Sequence, residues 1–170
     1  ESPRDKIKAL NKVLLEDRKV SYLSNKYWRD ATLAASVLRK QGNCLSTSTL
    51  YVLVGKSLNL PIRMVLVPRH AYARWDDGRE KINIETTYGG AEMPDARYLS
   101  GVTQPAPDDI EKLGWGKSLD ESHVVAELLA VAAGHRTGEG RIEDALKLLE
   151  QAQAAMPERR DIELRRYALM

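Results

Sequence analysis

Residues 41–59 read QGNCLSTSTLYVLVGKSLN, and the fold follows from how this stretch is taken. Gly42 and Asn43 are turn and helix-capping types. Leu50, Tyr51, Val54 and Leu58 then recur at helical spacing, which predicts a helix beginning at Cys44. Cys44 is the only cysteine of the chain. In a first helical turn, a thiol meets unpaired N–H groups and the positive end of the helix dipole, which favours thiolate and therefore a nucleophile. A lone cysteine is also a common small core residue, so its meaning rests on what the rest of the chain brings to it.

Upstream, Ser2-Pro3-Arg4-Asp5 has the form of a helix start: a serine cap, a proline in the first helical position and an acid three residues after the cap. Ile7, Leu10 and Leu14, joined by Val13, form one apolar stripe. A second helix is expected over Lys26–Lys40, with Trp28, Ala31, Ala35 and Leu38 inward and Gly42 as its end. Downstream, Asn59-Leu60-Pro61 is a break, and Ile62–Val67 reads as a strand buried on both faces. His70–Trp75 alternates, Asp77-Gly78 signals a hairpin turn, and Lys81–Thr87 alternates again with Ile82, Ile84 and Thr86 on one side.

A two-residue turn at Asp77-Gly78 places His70 directly opposite Glu85 and Tyr72 opposite Asn83. Directly opposed side chains have Cβ atoms ~4.5–5.5 Å apart, within which a carboxylate can hold an imidazole. An ordinary charged pair on a wet sheet face has the same signature.

Gly89-Gly90 and the stretch from Gly101 to Gly116, with Pro105, Pro107 and Trp115, read as loop. The expected organisation is a core with N-terminal helices over 1–100, a linker over 101–120 and a helical tail over 121–170. In the tail, His123–Gly134 and Arg141–Met156 are helical, with a turn at 137–140 and Pro157 as a stop. The spacing of Leu129, Gly140, Ala145, Leu149, Ala152 and Pro157 resembles a tetratricopeptide unit, with Arg136 where that repeat usually has an aromatic. One such unit cannot bury its own face. It is expected to pack on the core, on a last helix near Glu158–Leu169, or on chain beyond it.

The 170 residues suit one domain with an appendage, and one cysteine excludes an internal disulfide. The start at Glu1 is consistent with a processed or trimmed chain and leaves the compartment open between cytoplasm and outside it. Basic and acidic residues number ten and five over 1–40, seven and six over 41–100, and nine and thirteen over 101–170. The basic start has scattered lysines and no compact aromatic-basic motif, so a solvated surface is expected and no nucleic-acid partner. No run approaches the ~20 apolar residues of a membrane helix. His70, His123 and His135 lack paired-ligand spacing, so neither metal nor cofactor is expected, and His123 and His135 read as helix-end or surface residues. Gly55-Lys56-Ser57 echoes the end of a phosphate loop, but Leu50 stands where its glycine is needed.

Three elements thus point to one place: a cysteine at a helix start, a histidine on a strand and an acid on the next strand. In acyl transfer a thiolate attacks a carbonyl, an imidazole protonates the leaving group, and a third group fixes the ring. Cys44, His70 and Glu85 have those chemistries. The Cys44 N–H, with the side-chain amide of Gln41 or Asn43, is the candidate oxyanion donor. Tyr72 and Trp75 are candidates for the cleft wall, although strand aromatics are more often core.

The segments ASVLRKQGNCLSTSTLYVLVGKSLNLPIRMVLV (35–67), HAYARW (70–75) and INIETTYGG (82–90) resemble the transglutaminase-like branch of the papain-like thiol enzymes, in particular bacterial members that carry tetratricopeptide repeats. The resemblance covers about residues 30–100 and implies an α+β fold with the nucleophile helix packed on an antiparallel sheet. It implies Cys44 as nucleophile, His70 as base and Glu85 as acid, where aspartate is usual in the family. Thr86-Thr87-Tyr88 replaces the family's more usual proline-aromatic sequence before the Gly-Gly turn. The function implied is thiol-dependent chemistry on an amide of a peptide or protein, by hydrolysis or transfer. The rival expectation is a catalytically silent platform whose helical tail recruits a protein partner.

Overall fold

The computed structural model describes residues 1–24, 32–102, 110, 114–157 and 159–170. The expectations placed on Lys26, Trp28, Ala31, Pro105, Pro107 and Glu158 lie outside them. The chain divides into two units, Glu1–Leu119 and Asp120–Met170.

Helix α1, Pro3–Asn11, begins as its sequence dictates: the Ser2 hydroxyl accepts from the Asp5 N–H while the Asp5 carboxylate accepts from the Ser2 N–H. The chain continues as a wider helical turn over Lys12–Asp17. Ile7, Leu10 and Leu14 are buried, whereas Val13 is exposed because the stripe is narrower than four residues. Ala35–Arg39 is also helical, with Ala35 buried, but Leu38 is 79% exposed and points away from the core. Lys40, in the left-handed region at φ 55°, ends that turn in place of Gly42. Gly42 instead lies in a short parallel pair, β1 (Ser21–Tyr22) with β2 (Gln41–Gly42).

Helix α2, Cys44–Ser57, packs on a five-stranded antiparallel sheet. Its strands are β3 (Ile62–Val67), β4 (His70–Asp76), β5 (Lys81–Glu85), β6 (Ala91–Glu92) and β7 (Ser118–Leu119), in the order β6-β5-β4-β3-β7. The period-2 alternation of β4 divides its side chains between two cores. Ala73 and Trp75 join Ile62, Ile82 and Ile84 under α2 and α1, together with Leu50, Tyr51, Ile7 and Leu10. Tyr72 joins Val65, Val67 and Tyr98 on the opposite face. Ile62–Val67 is therefore covered on both sides, as its near-continuous apolar run requires; only Arg63 is exposed.

The β4–β5 turn differs from the two-residue expectation. The Asp77 carboxylate accepts from the N–H groups of both Arg79 and Glu80 at 2.9 Å, which widens the loop to Asp77–Glu80. Asp76 then pairs with Lys81 and Arg74 with Asn83, two residues away from the anticipated register. A two-residue slip preserves which face each side chain occupies.

The stretch read as linker also contains structure. Ser118 and Leu119 pair with Val65 and Met64 as the edge strand β7, and the Gly116 N–H donates to Leu66 O. Arg74, only 1% exposed, secures this region: its guanidinium donates to Asn83 Oδ1, Gly116 O, the Tyr72 hydroxyl and Asp95 Oδ1 at 2.6–3.0 Å. A buried cation is tolerable because it is satisfied on this many sides.

In the second unit, α3 (Glu121–Gly138), α4 (Ile142–Ala155) and α5 (Arg160–Tyr167) enclose a core of their own. Ala126, Ala130 and Ala133 meet Ala145, Leu149 and Ala152, small residues that let two helices approach closely. Ile162 of α5 and Met156 close the cluster, so the last helix covers the face that the helix pair leaves open.

Gly55 fixes how deeply α2 sits on the sheet. A Cβ there would lie 2.6 Å from Ile62 Cβ. Alanine in a helix interior normally gains ~1 kcal/mol over glycine, but overpacking a core costs ~1–3 kcal/mol. Gly55→Ala is expected to destabilise by ~1–2 kcal/mol in urea unfolding; a stabilised variant would show that the helix–sheet contact is loose.

Candidate active site

Helix α2 begins as the sequence predicts, with Asn43 as its cap: Asn43 Oδ1 accepts from the Ser46 N–H at 3.1 Å. Gly42 is required just before it, because a side chain there would collide with the hydroxyls of Ser36 and Ser46. The buried hydroxyls of Thr47 and Ser48 meet the Thr86 hydroxyl at 3.0 and 3.1 Å, which ties the helix start to the end of β5. Cys44 is thereby held at the end of the sheet where β4 begins, half-buried rather than enclosed.

His70 is the first residue of β4, and its Nε2 lies 2.9 Å from Glu85 Oε2. Extending the observed register places Tyr72, not His70, opposite Glu85. His70 therefore meets the acid diagonally, at a Cα separation of ~7–8 Å that the longer glutamate side chain spans. With Nε2 engaged by Glu85, Nδ1 is the nitrogen left to serve Cys44. Glu85 is buried and fully supported: Oε1 accepts from the Thr87 N–H and hydroxyl at 2.9 and 2.6 Å, and Oε2 also accepts from the Tyr98 hydroxyl at 2.8 Å.

These contacts set the charges. Burial pushes the Glu85 carboxyl up, but the His70 and Thr87 hydrogen bonds outweigh it and bring the pKa down to about 2. Burial alone would lower His70; hydrogen bonds to Cys44 and Glu85 instead raise it to about 9. Burial also raises the Cys44 thiol, and the His70 ring together with the Ala71 and Leu45 N–H groups more than reverses this, so the thiol lies below its ordinary value. These contacts shift Cys44 toward thiolate, His70 toward imidazolium and Glu85 toward carboxylate relative to the free side chains.

The structure brings Cys44, His70 and Glu85 together. Tyr72 is fully buried behind them, with its ring 6.3 Å from the His70 ring and 3.9 Å from that of Tyr98, so it supports the imidazole rather than lining an opening. Trp75, expected at the cleft, is on the other sheet face in the main core, because odd-numbered β4 positions point toward α1 and α2. Gln41 is exposed on β2, and Asn43 spends its carbonyl oxygen on the helix cap.

Sequence reasoning missed Tyr98 and Thr87. Tyr98 lies in a stretch with no strand period, and only Thr87's position two residues after an acid hints at its bonds. It also missed a cavity of about 600 Å³ beside His70, lined by His70, Glu85, Thr87, Tyr88, Arg97 and Tyr98 together with Pro68 and Arg69. Among the described residues, no group of three or more His, Cys, Asp or Glu is placed to hold a metal ion. No helix among them is long and apolar enough to cross a membrane.

A helix beginning at Cys44 and packed on an antiparallel sheet, with His70 opening one of its strands, makes this an α+β protein. Residues 1–105 match the family model of the transglutaminase-like superfamily, and the chain belongs to that superfamily. Neither a curated protein nor a solved structure matches the chain.

The pH dependence of stability reports on Glu85. Its folded-state pKa is depressed from 4.5 to about 2, so its contribution is present above pH 4.5 and disappears as pH falls toward 2. On the alkaline side, the raised His70 loses stabilisation with rising pH while the lowered Cys44 gains it, and the two oppose each other. The stability gap between wild type and Glu85→Gln in urea is expected to be widest near pH 5–6 and to shrink toward pH 2; a gap independent of pH would exclude a depressed Glu85.

Proposed function

We infer that this protein is a thiol-dependent acyl-transfer enzyme acting on amides, with Cys44 as nucleophile, His70 as acid and base, and Glu85 as the group that orients the ring. The observation that carries this reading is the His70–Glu85 contact beside a half-buried Cys44 whose thiol is lowered by that same histidine. A structural cysteine needs neither partner.

In this mechanism the Cys44 thiolate attacks the carbonyl carbon of an amide, and negative charge builds on its oxygen. The Cys44 N–H, with a side-chain N–H of Asn43 or Gln41, receives that charge at the positive end of α2. His70 Nδ1–H gives its proton to the leaving amine, the C–N bond breaks, and a thioester remains. His70, now neutral, takes a proton from an incoming water or amine, which attacks the thioester and releases Cys44 as thiolate. Glu85 keeps Nε2–H engaged throughout, so the imidazole presents Nδ1 in both half-reactions. A peptide or protein amide is the substrate class, and water is the default acceptor.

The test is alkylation of Cys44 by iodoacetamide, followed by intact mass across pH. Labelling is expected to persist well below the ordinary thiol pKa of ~8.5, and to slow about tenfold or more near neutral pH in His70→Ala. Labelling seen only after unfolding would remove the enzyme reading and leave the silent-platform alternative, in which the helical unit binds a protein.

A further inference from the structure

The cavity beside His70 has an electrostatic character that the acyl-transfer reading does not require. Two arginines border it, Arg69 and Arg97, and neither has a carboxylate partner among the described residues. The one carboxylate on its wall, Glu85, is already committed to His70, Thr87 and Tyr98. The other lining groups are Pro68, Thr87 and the hydroxyl-bearing rings of Tyr88 and Tyr98. The described lining of the cavity thus holds two exposed arginines and one carboxylate, and that carboxylate is hydrogen-bonded elsewhere.

Arg69 adds an independent observation. Pro68-Arg69 is the two-residue connection between β3 and β4, since Val67 pairs with His70. Arg69 adopts φ 63°, in the left-handed region where glycine or asparagine is the low-cost choice. With Pro68 before it, this is the conformation that the second position of such a turn takes, and it fixes where the Arg69 side chain leaves the backbone beside His70.

We propose that Arg69 and Arg97 form an anion subsite, so that the acyl donor carries a carboxylate beside the amide carbonyl presented to Cys44. This rests on the acyl-transfer reading, and it narrows the substrate from any amide to acidic peptides, through either an acidic side chain or a free C-terminal carboxylate. A guanidinium matches a carboxylate geometrically as well as by charge, which also sets the orientation of the donor in the cavity.

The experiment compares two nearly isosteric reagents, iodoacetate and iodoacetamide, on the same thiol. The ratio of their rates at Cys44 is expected to fall about threefold or more in Arg69→Asn and in Arg97→Gln, and further in the double variant. Raising ionic strength from ~0.01 to ~0.15 M should lower the wild-type ratio and leave that of the double variant nearly flat. Asparagine tolerates the left-handed backbone, so Arg69→Asn is expected to melt no lower than wild type while losing the preference. A ratio insensitive to both substitutions, with rapid iodoacetamide labelling retained, would overturn the anion subsite and leave the nucleophile intact. Slow labelling by both reagents in the native wild type would overturn the acyl-transfer reading and the subsite with it.

Protection of Cys44 from iodoacetamide then identifies the source of the carboxylate. N-acetylglutamine presents a C-terminal carboxylate, N-acetylglutamate 1-amide a side-chain carboxylate, and N-acetylglutaminamide none. Stronger protection by either acid than by the neutral diamide supports the subsite and names its source; equal protection by all three would overturn it.

Discussion

The structure around the site depends on a buried carboxylate being satisfied. Glu85 lies at the end of β5 with almost no access to water, and an unpaired charge there would cost several kcal/mol. Four donors remove that cost: the Thr87 N–H and hydroxyl, the Tyr98 hydroxyl and the His70 ring. Each donor comes with a structural consequence. Thr87 fixes the chain as it leaves β5, Tyr98 is drawn under the sheet from a stretch with no strand of its own, and His70 is turned so that its free nitrogen faces the start of α2. The acid organises its surroundings because its surroundings must satisfy it.

The same logic applies to Arg74, four positions along β4 on the same face. Its charge is buried more completely than that of Glu85, and its donors reach Asn83 on the neighbouring strand, Gly116 before β7 and Asp95, shortly before Tyr98 in the chain. Arg74 therefore holds in place the segment that delivers Tyr98 to Glu85. The Arg74–Tyr72 hydrogen bond and the Tyr72–Tyr98 stack complete a continuous polar and aromatic layer behind His70. This layer is the side of the sheet away from α2, so the site is supported from one face and supplied with its thiol from the end of the other.

Local signals decide the structure where the chemistry is local. The Ser2–Asp5 capping box, the Asn43 cap before Cys44 and the two-sided burial of Ile62–Val67 follow from neighbouring residues alone. Departures arise where one local turn outcompetes another or where distant partners decide. Asp77 recruits two backbone N–H groups and lengthens the hairpin, Lys40 rather than Gly42 takes the left-handed turn, and β7 forms because Leu66 and Val65 leave an edge that residues 116–119 can pair with. Tyr98 and Arg97 have no periodic context, and a single sequence gives no reason to bring them beside Glu85. Trp75, a candidate for the cleft wall, lies in the core as strand aromatics more often do, on the face opposite Tyr72.

Strand parity also explains why the His70–Glu85 contact survives a change of register. The observed pairing is two residues from the expected one, so His70 and Glu85 stay on one face but change from direct to diagonal neighbours. A diagonal pair needs more reach than a direct one, and glutamate has one more methylene than the aspartate usual in the resembling family. The length of the acid and the position of the turn are thus coupled: Asp77, by capturing Arg79 and Glu80, sets the distance that Glu85 must span. Thr87 then takes the other oxygen, which restrains the longer and more flexible side chain while Oε2 meets the ring. The departure from aspartate and the hydroxyl residue after the strand are, on this argument, two parts of one geometric solution.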